Sequence, residues 1–389
     1  MLFKIFPLKK TFHLLLIILA LSTTTTITSE IALGSLHTIS SSVSGAGSVT
    51  VFSSSSRLPQ TGIISLNVAE VIKELKNVEM VSPEVLSLVI VRNHILFLRG
   101  MSPEAFICLD EPRLIEGEIV LEGDYALIGI RAANMLDIKI DETIVVKGLT
   151  TSASKTMVIK GIFETGGPLD DEILATVSTG QFLRGFTKED ISLIRVKGAL
   201  PYLKANIASL LGLNETDEGG KSILTDWSRL MPTSTITSSS KSEVLKLGAE
   251  DILNRNISFS QSILWALMSI VLGASSIALY YAVSWVLMDS LKTITILRAV
   301  GFPRTKVRAM LFLEALLISL TAAVSGYGIG YTLMLKASEG NTLRIFFHTI
   351  VPPFRMDIFL SLLLLPTILA LTFLFICLRN EDRSAIPLS

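Results

Sequence analysis

The residues able to do chemistry are few in this chain, and their spacing speaks against most of the reactions they suggest. Glu218-Gly-Gly-Lys-Ser222 ends like a phosphate-binding loop. That loop needs a further glycine five positions before the second one, so that successive amides cradle the phosphates. Glu215 stands there, and its charge repels them. Leu58-Pro-Gln-Thr-Gly62 matches a cell-wall sorting signal, but it precedes a whole domain rather than a C-terminal apolar anchor, so it reads as a turn. His13, His37, His94 and His348 are scattered, and Cys108 and Cys377 lie in regions of opposite polarity. No metal-site spacing and no disulfide are expected from them. No Ser/His/Asp, Cys/His or paired-carboxylate arrangement stands out, and outer carboxylates such as Asp170 and Asp171 cannot be distinguished from a solvated loop. The chain is not expected to be an enzyme, to carry a cofactor or to hold a metal.

The elements that carry these residues point to a membrane. Of 389 residues, 50% are hydrophobic and 17% charged, with a mean hydropathy of +0.59. That is too apolar for one soluble domain. A formal net charge of zero argues against a nucleic-acid partner, which needs a basic surface. Four stretches reach the roughly 20 apolar residues that span a bilayer: residues 11–30, 258–288, 308–335 and 357–378, the last with Pro366 at its middle. The first also resembles a signal-peptide h-region behind Lys4, Lys9 and Lys10, with a small-x-small site at Ala20-Leu21-Ser22. Its uncharged length favours a retained helix, and cleavage stays open. Basic residues hold the N-terminus (1–10), the connection 289–307 and the tail 379–389 on one side, the cytoplasm. A multi-pass plasma-membrane protein with both termini inside is the expectation.

Residues 31–257 then form one large extracytoplasmic insert, and 336–356 a short outer loop. The fold class expected is four transmembrane α-helices with a large α+β domain between the first two. A serine-rich entry precedes "VAEVIKELKNV", which has helical period with Val68, Val71, Ile72 and Leu75 on one face. "VLSLVIV" and "HILFLRG" read as buried strands, "TIVVKG" and "TMVIKGIFE" as a strand pair, and "ALIGIRAANMLDI" as a helix. Residues 213–240 read as a polar insertion. Ser240 to Glu243 has capping-box spacing for a stalk helix from 241 into the second span. Asn214 and Asn256 head glycosylation sequons.

The connection 289–307 is the most informative stretch. "DSLKTITILRAVG" carries an apolar stripe of Leu291, Ile294 and Leu297 beside Lys292 and Arg298. It reads as a short amphipathic helix at the membrane face, stopped by Gly301, with Pro303 opening the next helix. On the third span, Gly326 and Gly330 form a small-residue face for close helix packing, in the chain or between copies. Glu314 reads as the only carboxylate near a span, and no ionisable residue is expected deep in one.

"ILRAVGFPRTKVRAMLFLEALLISLTAAVSGYGIGY" resembles the signature of the FtsX-like permeases, the membrane subunits of MacB- and LolCE-type ABC transporters. Ile296, Leu297, Arg298, Ala299, Gly301, Glu314, Ala315 and the glycines at 326, 328 and 330 carry the likeness. The order of one span, an outer domain and three spans is similar too, and the outer domain resembles the family's periplasmic core domain in outline. The resemblance implies that Leu291, Lys292, Thr293, Ile294, Ile296, Leu297, Arg298 and Gly301 form a coupling helix on a separate ATP-binding subunit, which binds ATP and Mg. It also implies a dimer, with itself or a related permease, embedded in membrane lipid. Thr293 and Thr295 depart from the family's usual acidic residue and glycine, so the partner's surface should differ. The alternative from another class is a membrane-anchored binding or adhesion protein without an ATPase. The substrate is not readable.

Overall fold

The uncharged run after Lys10 contains no proline, and helix α1 takes it up whole as Leu8–Ser41, 34 residues. Its threonines do not break it, because their hydroxyls bond back to carbonyls one turn earlier: Thr24 to Ala20 at 2.8 Å, Thr26 to Ser22 at 2.8 Å and Thr28 to Thr24 at 2.9 Å. The computed structural model describes residues 8–43, 47–53, 61–199, 206–207, 245–247, 258–352 and 356–384. The chain divides into two units.

The first unit is helical and comprises residues 1–37, 259–343 and 350–389. With α1 it contains the long helices Ser258–Ala299, Arg304–Glu339 and Met356–Ser384, here α6, α7 and α8, numbered after the four short helices of the second unit. Among the described residues, these four helices are long and apolar enough to cross a membrane. α6, with 42 residues, extends ~63 Å, about twice a bilayer's hydrocarbon core. Leu14 and Ile18 of α1, Leu279, Val283 and Val286 of α6, Leu311 and Ile318 of α7, and Ala370 and Leu374 of α8 form its core.

The second unit, residues 38–258 and 344–349, is built on a mixed sheet. Its elements in chain order are β1 (Ser48–Ser53), β2 (Ile64–Ser65), α2 (Leu66–Lys73), β3 (Val78–Val91), β4 (His94–Gly100), α3 (Pro103–Asp110), β5 (Arg113–Gly117), β6 (Tyr125–Gly129), α4 (Ile130–Leu136), β7 (Thr143–Gly148), β8 (Ser154–Glu164), a 3-10 turn (Pro168–Asp171), β9 (Ile173–Ala175), α5 (Val177–Arg184), β10 (Asp190–Ile191), β11 (Leu193–Gly198), β12 (Leu245–Leu247), β13 (Arg344–Ile345) and β14 (His348–Thr349). The main sheet runs β12-β1-β11-β3-β4-β9-β6-β8-β5, with β7 joining β3 and β8. Most pairs are antiparallel; β4 with β9 and β6 with β8 are parallel. The expected pair 143–148 and 154–164 is a hairpin in register Val145 to Thr156.

Several expectations change. "ALIGIRAANMLDI" is a strand followed by a helix, because Leu127 and Ile128 are drawn into the sheet between β8 and β9, and only from Ile130 does the chain coil. Leu245–Leu247 is a strand on β1 rather than part of a stalk helix, since the open edge of β1 offers backbone partners that a helix does not need. The capping-box residues 240–243, the polar insertion 213–240, Asn214 and Asn256 lie outside the described residues. The start of the serine-rich entry is helical as far as Ser41, and Ser48–Ser53 is strand β1. In α2 the buried face is Ala69 and Ile72, while Val71 is exposed.

At the centre of this unit lies a buried chain of charges. The β3–β11 register sets Arg195 opposite Ser82, and the β3–β4 register sets Arg99 opposite Leu86, so both arginines stand diagonal to Glu84. Arg99 donates to Glu84 at 2.7 Å, to Glu172 at 2.7 and 2.8 Å, and to the Ser42 carbonyl at 2.7 Å. Arg195 donates to Glu84 at 2.5 Å and to both oxygens of Asp110 at 2.7 and 2.8 Å. Burial opposes the charge on Glu84, but Arg195 and Arg99 outweigh it and hold its pKa below the ordinary carboxylate value. Both guanidinium groups are correspondingly held charged against the cost of burial.

The hairpin β13–β14 docks beside this chain. Asp171 accepts from the Thr349 amide and from its hydroxyl, both at 2.9 Å. The His348 ring stacks on Phe97 with centroids 5.4 Å apart, its Nδ1 lies 3.1 Å from the Pro168 carbonyl, and its Nε2 lies 3.5 Å from Glu172. Asp170 and Asp171, which the sequence could not distinguish from a solvated loop, are buried and paired with Arg131, and Asp171 also lies 3.8 Å from Arg344. Burial holds the His348 pKa below its ordinary value; Arg99 acts in the same direction, against Glu172 and Asp171.

Two outcomes test this packing. Arg99→Met leaves Glu84 and Glu172 short of a counter-charge, and should destabilise the sheet unit by about 3–5 kcal/mol in chemical denaturation. His348 is neutral when docked, with its pKa depressed, so docking is fully favoured above the free imidazole's ~6.5 and is lost as pH falls through the docked value. Hydrogen exchange at the Thr349 amide, corrected for its intrinsic pH dependence, should be faster at pH 5.5 than at pH 7.5.

Candidate functional site

A turn between two long helices must satisfy the free carbonyls of the first and launch the second. Here the sequence supplies both parts. Gly301 sits at φ +97, where side-chain-bearing residues are strained. Its amide bonds to the Arg298 carbonyl at 3.0 Å, and the Phe302 amide bonds to the Leu297 carbonyl at 3.1 Å. That pair of bonds is a Schellman cap. Pro303 then caps α7, with the Lys306 and Val307 amides bonding to its carbonyl at 3.0 and 3.2 Å.

The structure corrects one feature of this region. No separate amphipathic helix lies at 291–300; the stretch is the last part of α6, which continues unbroken to Ala299. The physical reason is at Asp289-Ser290, just past the end expected for the second span. Ser290 is buried and its hydroxyl bonds back to the Val286 carbonyl at 2.7 Å, so the polar residue is accommodated within the helix.

The faces of this helical end divide cleanly. Ile294 is 1% exposed and joins the helical core, and Leu291 and Leu297 pack partly against it. Ile296 is 64% exposed and Val300 72%. Lys292, Thr295, Ala299 and Gly301 are also exposed, as are Arg304 and Lys306 across the turn, while Thr293 and Arg298 are half-buried. The result is a protruding ridge with an apolar crest and basic flanks, held in shape by its own capping hydrogen bonds. It has the chemistry to dock on a protein surface that offers an apolar groove with acidic margins.

Gly326 and Gly330 lie on α7 facing α1. A Cβ at Gly326 would stand 2.6 Å from the Ser22 Cβ and 2.7 Å from the Leu19 carbonyl oxygen; one at Gly330 would stand 2.9 Å from the Thr26 Cβ. Thr23 completes the approach by donating to the Gly326 carbonyl at 3.2 Å. Gly328 has open space around it.

Among the described residues no cluster of His, Cys, Asp or Glu could hold a metal, and both cysteines are free thiols. The sequence reading missed Glu30. It was taken as the end of the first span, yet α1 passes through it, and Glu30 is 1% exposed in the helical unit with its Oε2 lacking a hydrogen bond. Ile27 and Ile31 to Leu33 on either side were the available signal, since apolar residues resume directly after the charge.

Against known families, residues 265–378 match the FtsX-like permease C-terminal model. This segment resembles the C-terminal domain of FtsX-like permeases. It takes in most of α6, the Schellman turn, α7 and most of α8, and with the long apolar helices it marks the chain as a membrane protein. The match takes in 114 of 389 residues, less than a third of the chain, so it identifies that segment. No curated protein matches the chain. Two solved domains are similar over part of it. One is the extracellular domain of the noncanonic ABC-type transporter YknZ from Gram-positive bacteria, at 12% identity and a TM-score of 0.33, covering 42% of this chain and 91% of that one. The other is a domain from a Porphyromonas gingivalis protein described as a permease, at 16% identity and a TM-score of 0.31, covering 44% and 86%.

The glycine contacts predict a paired outcome. Gly326→Leu should force α1 away from the FtsX-like helix α7 and lower thermal stability in detergent by about 1–3 kcal/mol or more. Gly328→Leu, into open space, should change it little.

Proposed function

We propose that the chain is the membrane subunit of an ABC-type transporter, and that the ridge at the end of α6 couples it to a separate ATP-binding subunit. The observation that carries this reading is the exposure of Ile296 and Val300 on a rigidly capped turn inside the FtsX-like segment. Two large exposed apolar side chains beside a hydrogen-bonded turn suit a contact surface for a partner. The partner would supply ATP and Mg chemistry; this chain would supply a lever.

The arrangement of charge supports an orientation. Lys9 and Lys10 at the start of α1, Lys292, Arg304 and Lys306 about the α6–α7 turn, and Arg379 and Arg383 near the end of α8 belong on the cytoplasmic side. The sheet unit then faces outward, and the four long helices act as four spans. Ile277, Tyr281, Trp285 and Met288 on α6 are exposed and apolar, which suits membrane lipid or a second copy of a permease. Closure of two ATP-binding subunits would drive two such ridges together, and the helices would carry the motion to the outer domains. The output is transport or extraction of a substrate, or activation of a partner outside.

The test is a single cysteine at position 296 in a chain carrying Cys108→Ser and Cys377→Ser, crosslinked in native membranes. An adduct with a protein bearing a phosphate-binding loop, changed by ATP, is expected. A reactive cysteine that gives no adduct under any nucleotide condition would leave a membrane-anchored outer domain as the function. Ile296→Asp should weaken partner capture about tenfold or more, because the crest would then carry an unpaired buried charge.

A further inference from the structure

The hairpin at 344–349 raises a question of mechanics. The chain leaves the helical unit after Leu343, forms the hairpin within the sheet unit, and returns to the helical unit at Ile350. The link before the hairpin is short and hydrogen-bonded. α7 ends at Glu339, and the next residues form a second Schellman cap: the Asn341 amide bonds to the Ser338 carbonyl at 3.0 Å and the Thr342 amide to the Ala337 carbonyl at 3.1 Å, with Asn341 at φ 50. The Thr342 hydroxyl adds a bond to the Ala337 carbonyl at 2.9 Å. At the base of the hairpin, the Ile350 amide bonds to the Leu343 carbonyl at 3.0 Å. Only Leu343 separates the capped end of α7 from Arg344, so at most about 3.6 Å of chain lies between a rigid helix and a docked hairpin.

The hairpin's grip lies at a sensitive place. Asp171 holds Thr349 by two hydrogen bonds, and the next residue, Glu172, is the carboxylate that Arg99 binds in the buried charge chain. His348 reaches the same turn through the Pro168 carbonyl and the same strand through Phe97. A pull on the hairpin therefore acts on the 3-10 turn at 168–171, and through Glu172 on the arginine that spans β3 and β4.

We infer that the 344–349 hairpin is a clasp through which displacement of the end of α7 is delivered directly to the 168–171 turn of the sheet unit. Its use as a route for ATP-driven motion rests on the permease reading above; its existence as a mechanical link does not. The clasp reaches the sheet unit by a path separate from the chain connections at 37–38 and 258–259. A link of this kind is reciprocal: weakening the grip at Asp171 must loosen the end of α7, just as moving α7 must strain the turn.

The experiment is hydrogen exchange on the full chain in lipid nanodiscs, without any partner, so that failure to find an ATP-binding subunit has no bearing on it. Asp171→Asn weakens the grip, and a Gly-Gly-Ser-Gly insertion between Leu343 and Arg344 gives the link slack. In the uninterrupted chain, Asp171→Asn should speed exchange at least tenfold both in the hairpin and in residues 340–343. In the slackened chain, Asp171→Asn should speed the hairpin alone. Thr349→Val removes one donor and leaves the Asp171–Arg131 pair in place; it should give the same pattern at smaller size if Asp171→Asn disturbs folding. Exchange at 340–343 that ignores both substitutions in the uninterrupted chain, or responds equally with and without slack, would overturn the clasp.

Discussion

Glu84 is the constraint on which the sheet unit depends. A carboxylate with no solvent exposure must have its charge answered, and Arg99 and Arg195 answer it from opposite neighbouring strands. Each arginine is then committed further, to Glu172 before β9 and to Asp110 at the end of α3. One misplaced strand would leave several charges unpaired in a low-dielectric interior, so the network selects one register of β3, β4 and β11 over its neighbours. Hydrophobic burial alone would tolerate other registers, since β3 is apolar along much of its length.

The helical unit works under a different constraint. In a bilayer, apolar side chains gain little by meeting each other rather than lipid, so helices associate where backbones can come close. α1 and α7 do this at Gly326 and Gly330, with Ser22, Thr23 and Thr26 as the matching small residues and one hydrogen bond from Thr23 across the contact. The threonines of α1 thus serve twice: they bond to their own helix and present a narrow face to another. The same helix carries Glu30 into the unit's interior, an ionisable group that this packing shields from solvent.

The turns at 301 and 341 close two of the long helices. Both end a long helix by the same hydrogen-bond pattern, one using glycine and the other asparagine to reach positive φ. Each cap satisfies carbonyls that the end of a helix would otherwise leave free, which fixes the turn in one conformation.

The four apolar stretches, the strands at 85–91 and 94–100, the strand pair at 143–164, and the stop and start at Gly301 and Pro303 were legible in the sequence, because each depends on local periodicity or on one residue's backbone preference. The FtsX-like likeness was legible for the same reason, being carried by contiguous residues. What the tertiary structure alone decided depends on partners distant in the chain. Leu127 and Ile128 became strand because two neighbouring strands were waiting for them. Ser290 stayed helical because its environment is buried. Asp171 lost its solvated character when Thr349, 178 residues away, came to lie on it. Sequence by itself determined where this chain can enter a membrane and where its helices must stop. Only the folded arrangement determined which carboxylates are buried and what they hold, because the free energy of a buried charge is set by neighbours that no local window contains.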